Sequence, residues 1–220
     1  MRLLTLLMLM PATLVAQAVV RVDEGSFTIS RNGEKVGREE FRILRQAAAP
    51  QPLYVASATV AYDQRRLSPA LRTDTAGAPV SYQLEVRSGA ATEQRLAGTV
   101  ARGRFSARIQ SPDGDAAREY IVSDGAIILD DDVFHQYYFL GHRAPGTIAV
   151  VVPRRSVQMA MTLDTAATEQ LAIDGRTVQA RHLILRAADG TERHIWVDQA
   201  TAIVLKVLMP SGVMALRDEL

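Results

Sequence analysis

Four histidines, three consecutive aspartates and a single tryptophan are the residues of this 220-residue chain whose types invite a chemical reading. His135 lies four positions after Asp131, so on a helix the two share a face, and His142 falls near that face one turn further on. A metal centre needs three or four such ligands converging, whereas an acidic run just before an apolar stretch also suits a helix N-terminus. The structural role is the expectation, and no metal site is assigned. His182 and His194 flank Asp189-Gly190. A two-residue turn there would set the two rings on opposite faces of a hairpin, and a three-residue loop would set them on one face without facing each other directly. No serine stands in a Gly-x-Ser-x-Gly or Ser-x-x-Lys pattern. No two carboxylates are singled out as an acid–base pair, no glycine-rich phosphate loop is present, and cysteine is absent. The chain reads as non-catalytic and without a cofactor.

The aromatic residues are the remaining candidates. Four of the twelve fall in Phe134, Tyr137, Tyr138 and Phe139, inside the one stretch with helical character, near 131–140. Asp130, Asp131 and Asp132 sit where a helix dipole favours negative charge, and Gly141 is placed to end the helix in a left-handed turn. With Val133 and Leu140 added, this helix is apolar around most of its circumference, which predicts burial on more than one side. Core packing is the default role for such residues. The functional alternative is a cavity between helix and sheet, with Phe134, Tyr137, Tyr138 and Trp196 as the ligand-binding residues.

The elements that must position them are strands. Phe27 and Ile29 alternate with polar neighbours before Asn32-Gly33, the strongest two-residue hairpin signal, and the return strand carries Phe41 and Ile43 on one face. Gln46 to Pro52 reads as a loop. Val80, Tyr82, Leu84 and Val86 alternate with Ser81, Gln83, Glu85 and Arg87, a one-sided amphipathic strand. The C-terminal quarter reads as a four-strand meander over Val178–Ala187, Glu192–Val197, Ile203–Met209 and Val213–Arg217. About a dozen strands with short turns and no helical crossovers predict one antiparallel sheet, mainly β, which at that size must curl. The predicted fold is a meander curled into a half-open barrel with one short helix packed in its concave face, forming a single domain over 19–220.

Residues 1–18 read as an export signal. Arg2 precedes the apolar run Leu3 to Leu9, and Ala16-Gln17-Ala18 has the small-x-small form that predicts cleavage before Val19. The run is too short to span a bilayer, and no later segment approaches that length. Loss of Arg2 takes the 25 basic residues to 24, equal to the 24 acidic ones, a balance that argues against nucleic acid as a partner. The expected location is the periplasm, as a soluble protein after signal cleavage.

Two stretches carry a resemblance. Phe27-Thr28-Ile29-Ser30-Arg31-Asn32-Gly33-Glu34-Lys35-Val36-Gly37 is one, and Arg181-His182-Leu183-Ile184-Leu185 through Trp196-Val197-Asp198 to Leu205-Lys206-Val207 and Pro210 is the other. Together they resemble a class of periplasmic proteins of unknown function allied in fold to the LolA/LolB-like lipoprotein-localisation factors, whose half-open barrel is closed by helices over an apolar cavity. The chain has one helix candidate where those carriers use several. The function this implies is non-catalytic binding of a lipid or another hydrophobic ligand. The alternative is an envelope assembly protein that docks to a protein partner through a sheet edge.

Overall fold

The computed structural model describes residues 19–47, 51–122 and 125–220. The expected signal, 1–18, lies outside these residues, as do 48–50 of the expected loop. Fifteen strands form one sheet among the described residues. The first half is a meander: β1 (Val19–Arg31), β2 (Glu34–Gln46), β3 (Leu53–Tyr62), β4 (Arg65–Thr73), β5 (Pro79–Ser88), β6 (Ala91–Ala101), β7 (Arg104–Ser111) and β8 (Gly114–Ile121). The second half follows β9 (Ile127–Ile128) with β10 (Gly146–Val152), β11 (Val157–Ile173), β12 (Arg176–Ala187), β13 (Glu192–Asp198), β14 (Val204–Leu208) and β15 (Val213–Arg217). β1 pairs with β15, Phe27 opposite Arg217, so the two meanders are sewn together in the middle of the sheet. Every pairing is antiparallel except β9 with β10. Among the described residues no helix is long and apolar enough to cross a membrane.

Turn chemistry accounts for the hairpins. Asn32 and Gly33 have φ of 52° and 85°, and Asp174 and Gly175 have 48° and 71°, the double left-handed conformation that two-residue turns require. By alternation alone 157–163 and 169–173 read as two separate strands; they are one strand, β11, with an irregularity between Thr165 and Thr168. That bulge changes the strand's phase. Met161 and Leu163 face the concave core, whereas Leu171 and Ile173 join a second, convex cluster with Ala180, Trp196 and Leu205.

The margins β8 and β9 share no ladder, and the curl stays half-open. β8 is tied instead to β11, whose Gln158 side-chain amide donates to the Ile121 carbonyl. The concave face is filled by a 3₁₀ helix, His135–Leu140, all six residues of which are buried. Tyr138 and Phe139 meet Tyr54 of β3 edge-on, and His135 stacks on Phe41 of β2.

The helix differs from its sequence expectation at both ends. It is a 3₁₀ helix that starts at His135, with Asp132 in the left-handed region at φ 61°. The aspartates are engaged elsewhere: Asp130 accepts from the Tyr82 hydroxyl, Asp131 pairs with Arg155 and Asp132 with Arg154. Gly141 continues right-handed, φ −58°, and its lack of a side chain serves a different need. A Cβ there would lie 2.5 Å from the Ala202 carbonyl oxygen, inside contact distance.

Phe134, 1% exposed just ahead of the helix, tests the filling. Phe134→Ala should cost about 3–5 kcal/mol, as for other buried aromatics, measured by urea denaturation. An unchanged midpoint would mean that the helix does not fill the barrel.

Candidate functional site

In this barrel, inward strand positions are where charge has to be explained. Four charged side chains sit in phase with the concave apolar residues: Asp23 on β1, Glu39 on β2, Arg193 on β13 and Arg217 on β15, each no more than 7% exposed. An unpaired charge in such a place costs several kcal/mol, so each needs a partner. Arg217 finds Asp23 at 2.7 Å and also donates to the Glu24 carbonyl. Burial still pushes the Asp23 carboxyl above its ordinary value, with Arg217 opposing that rise.

Glu39 is completely buried and serves the inner helix. It accepts from the backbone N–H of Phe134 (2.7 Å) and of His135 (2.9 Å), and its Oε1 lies 2.5 Å from His135 Nδ1. It therefore takes the role that the aspartate run was expected to play, from a strand 95 positions away. Ahead of the helix, the Asp130 amide donates to the Gln136 side-chain carbonyl, and the Asp130 carboxylate receives Tyr82. Burial raises the Asp130 carboxyl, and burial beside Asp130 raises the Tyr82 hydroxyl well above its usual range. These groups hold the segment in place.

Arg193 is the exception. Its side chain donates to the Tyr137 hydroxyl at 3.1 Å, and that hydroxyl in turn meets Met209 Sδ at 3.3 Å. No carboxylate pairs with Arg193 among the described residues. It lines a cavity of about 760 Å³ at one end of the barrel. The lining has five arginines (Arg31, Arg65, Arg154, Arg155 and Arg193) and three aspartates (Asp131, Asp132 and Asp189) beside Met159, Met161, Met209 and Val213. Arg154 and Arg155 are taken up by Asp132 and Asp131, and Arg65 by Glu93. Arg31 and Arg193 are left, one exposed and one buried, on a rim with three thioethers.

The sequence-predicted site residues divide. Phe134, Tyr137 and Tyr138 come together in and just ahead of the inner helix, exposed by 1%, 1% and 4%. Only Tyr137 reaches the cavity region, through its bond to Arg193. Trp196 is a correction: it is on the convex side of β13, because Arg193, Ile195 and Val197 take the inward phase. His142 meets Tyr138 edge-on, and burial lowers its pKa. The β12–β13 register sets Arg186 opposite Glu192, the three-residue-loop alternative, so His182 and His194 share the convex face diagonally. Asp131 and His135 do not share a helical face, since the helix begins after Asp131. Sequence reasoning missed Glu39, Arg31, Arg193 and the methionines. The available signal was parity, since Glu39 keeps step with Phe41 and Ile43, and Arg193 with Ile195 and Val197.

No family model matches the sequence, and no curated protein does either. A β-barrel-like protein of domain of unknown function DUF1849 from Brucella abortus has a similar fold, with TM-score 0.50 and 9% identity over 93% of this chain and 98% of that one. A DUF1089 family protein from Pseudomonas aeruginosa gives TM-score 0.39 and 15% identity over 90% of this chain and 95% of that one. The first likeness supports a barrel-like β architecture.

Replacing Glu39 distinguishes a working cap from an incidental contact. Glu39→Leu leaves the helix N–H groups and His135 bare and should cost about 3–5 kcal/mol. Glu39→Gln keeps one acceptor and should cost less, about 1–3 kcal/mol. Urea midpoints in the reverse order, or a Leu variant as stable as wild type, would remove Glu39 from this role.

Proposed function

We propose that the protein is an exported, periplasmic, non-catalytic binder of an amphipathic anion, of the class of an acidic lipid or fatty-acid-like molecule. The observation that carries this is Arg193, a guanidinium held at 5% exposure beside a cavity with no carboxylate partner among the described residues. An anionic head group meeting Arg193 and Arg31 would offset that buried charge through charge-assisted hydrogen bonds. Met159, Met161 and Met209 offer an adaptable apolar contact for the adjoining chain. The ligand takes the mouth of the barrel rather than its concave face, which the inner helix fills. The resemblance to the LolA/LolB-like factors supports the same class of ligand, and the sequence of residues 1–18 supports export.

A second reading, docking of an envelope protein, has one observation in its favour. β8 is an edge strand of eight residues with Ile121 62% exposed at its end. Its charges Asp115, Arg118 and Glu119 are of the kind that discourage indiscriminate edge pairing.

Dansyl-undecanoic acid and its uncharged methyl ester separate the two readings. The acid should bind with a rise in dansyl fluorescence, and Arg193→Met should weaken it about 10-fold or more, the worth of one hydrogen bond to a charged group. The ester should be much less affected. Absence of saturable binding, or equal loss for acid and ester, would overturn the ligand reading and leave the β8 edge as the better candidate.

Export has its own test. Protein expressed from the full sequence should have the intact mass of a chain starting at Val19. A mass that retains Met1 would refute signal cleavage as described.

A further inference from the structure

We propose that His182 and His194 form a binding site for a divalent transition-metal ion of the copper, nickel and zinc group on the convex face of the barrel. The two rings approach through one nitrogen each, His182 Nε2 and His194 Nδ1 lying 2.9 Å apart. Their other nitrogens face carboxylates. His182 Nδ1 is 2.9 Å from Glu169 Oε1, and His194 Nε2 is 3.4 Å from Glu192 Oε2. Carboxylates only accept, so each outer nitrogen is best occupied by an N–H, and each inner nitrogen then presents a lone pair to the other. A proton on either inner nitrogen closes the contact as a hydrogen bond, and a metal ion takes that proton's place between the two lone pairs. A metal ion satisfies both at once, and a carboxylate behind each ligating imidazole is the arrangement that fixes ring orientation and raises basicity.

The fold builds this arrangement from three strands. The bulge between Thr165 and Thr168 turns Glu169 of β11 to the convex side. Glu169 is anchored there by the Trp196 indole N–H, which donates to Oε2 at 2.9 Å. Trp196 in turn carries His182, stacked at 4.3 Å with an interplanar angle of 8°. Glu192 is held by Arg186 at 2.7 Å. The positive groups nearby are Arg186 and Lys206, whose ammonium sits 4.3 Å from the Trp196 ring centre, on a strand beyond the tryptophan. Glu169 and Glu192 offset them.

Ligation asks little of the protein. Metal–nitrogen bonds of about 2.0–2.1 Å at a tetrahedral angle place two nitrogens roughly 3.3 Å apart. The ring centres are 5.1 Å apart, so a small rotation of each ring opens the gap without moving the backbone. The side chains of His182 and His194 are 13% and 28% exposed, which lets an ion enter and solvent complete its shell. Among the described residues no group of three or more histidine, aspartate or glutamate side chains is arranged to hold an ion. Binding through two protein nitrogens is therefore that of an exchangeable site, with copper favoured over nickel and zinc.

Trp196 makes the test direct, because it is the chain's only tryptophan and touches the site. Signal-cleaved protein without a polyhistidine tag is titrated with copper(II) sulfate, then with zinc sulfate in competition, following Trp196 fluorescence and the heat of binding. The expected result is one ion per chain, saturable quenching by copper, and reversal by excess zinc or chelator. His194→Gln, at the more exposed ring, should weaken binding at least 10-fold at an unchanged melting temperature, and Glu169→Gln by about 10- to 100-fold. A second measurement needs no substitution: zinc should protect His182 and His194 of the wild-type chain from diethyl pyrocarbonate. Absence of saturable quenching by copper(II) would overturn the proposal. So would undiminished binding by His194→Gln, or modification of both rings at the same rate with and without zinc.

Discussion

A fully buried carboxylate, accepting two backbone N–H groups and an imidazole, is the contact on which the interior of this protein depends. A 3₁₀ helix of six residues cannot stand alone, because its nucleus is costly and its first N–H groups have no partner inside it. Inside a barrel those groups cannot turn to water. Glu39 supplies the acceptors from the wall, and the wall is rigid because β2 is paired on both sides. The helix brings Tyr137, Tyr138, Phe139 and Leu140 into the concave face, each burial worth about 1.5–3 kcal/mol. Without that filling, a sheet of this size would enclose more space than its own inward side chains occupy.

The need for filling explains why the polar interior is so specific. Asp23 holds Arg217 at the seam between the first and last strands, and Glu39 holds the helix. Arg193 is held against Tyr137 on the side where the filling stops, and the cavity opens there. The same alternation that makes a strand amphipathic therefore marks the site, through the inward charge whose balance is left to whatever enters. On the convex face the logic is reversed. The bulge in β11 puts Glu169 and Leu171 outside, where Trp196 anchors a small apolar patch and a line of carboxylates and imidazoles along its border.

Much of the fold was legible because it is local. Asn32-Gly33 and Asp174-Gly175 state their turns, the strand from Val80 to Arg87 states its phase, and the last four strands are written as consecutive alternating runs. Ile127–Ile128 is too short to announce itself, and the bulge at Thr165–Thr168 splits one strand into two readings. The helix was legible in existence and burial and misread in its cap, since the acceptor comes from Glu39, far away in sequence. Trp196 was grouped with the helix aromatics because composition cannot tell the inner face from the outer. Only the register of β12 against β13 decides that, and the choice between a two- and a three-residue loop shifts every side chain by one face.

The pairing of β1 with β15 has a further consequence, for the order in which the chain becomes a protein. Each meander can assemble from neighbours as they appear, but the seam joins Ser26 and Thr28 to Asp218, residues 192 and 190 positions apart. Contacts of that separation are slow to form, because nearly the whole chain's loop entropy is lost before they return anything. Until the last five-residue strand arrives, both half-sheets carry an unpaired edge at what will become their centre, and those edges are complementary to the same edges on other molecules. The chain is thus most open to association with its own copies until β15 pairs with β1, and that pairing is what closes the window.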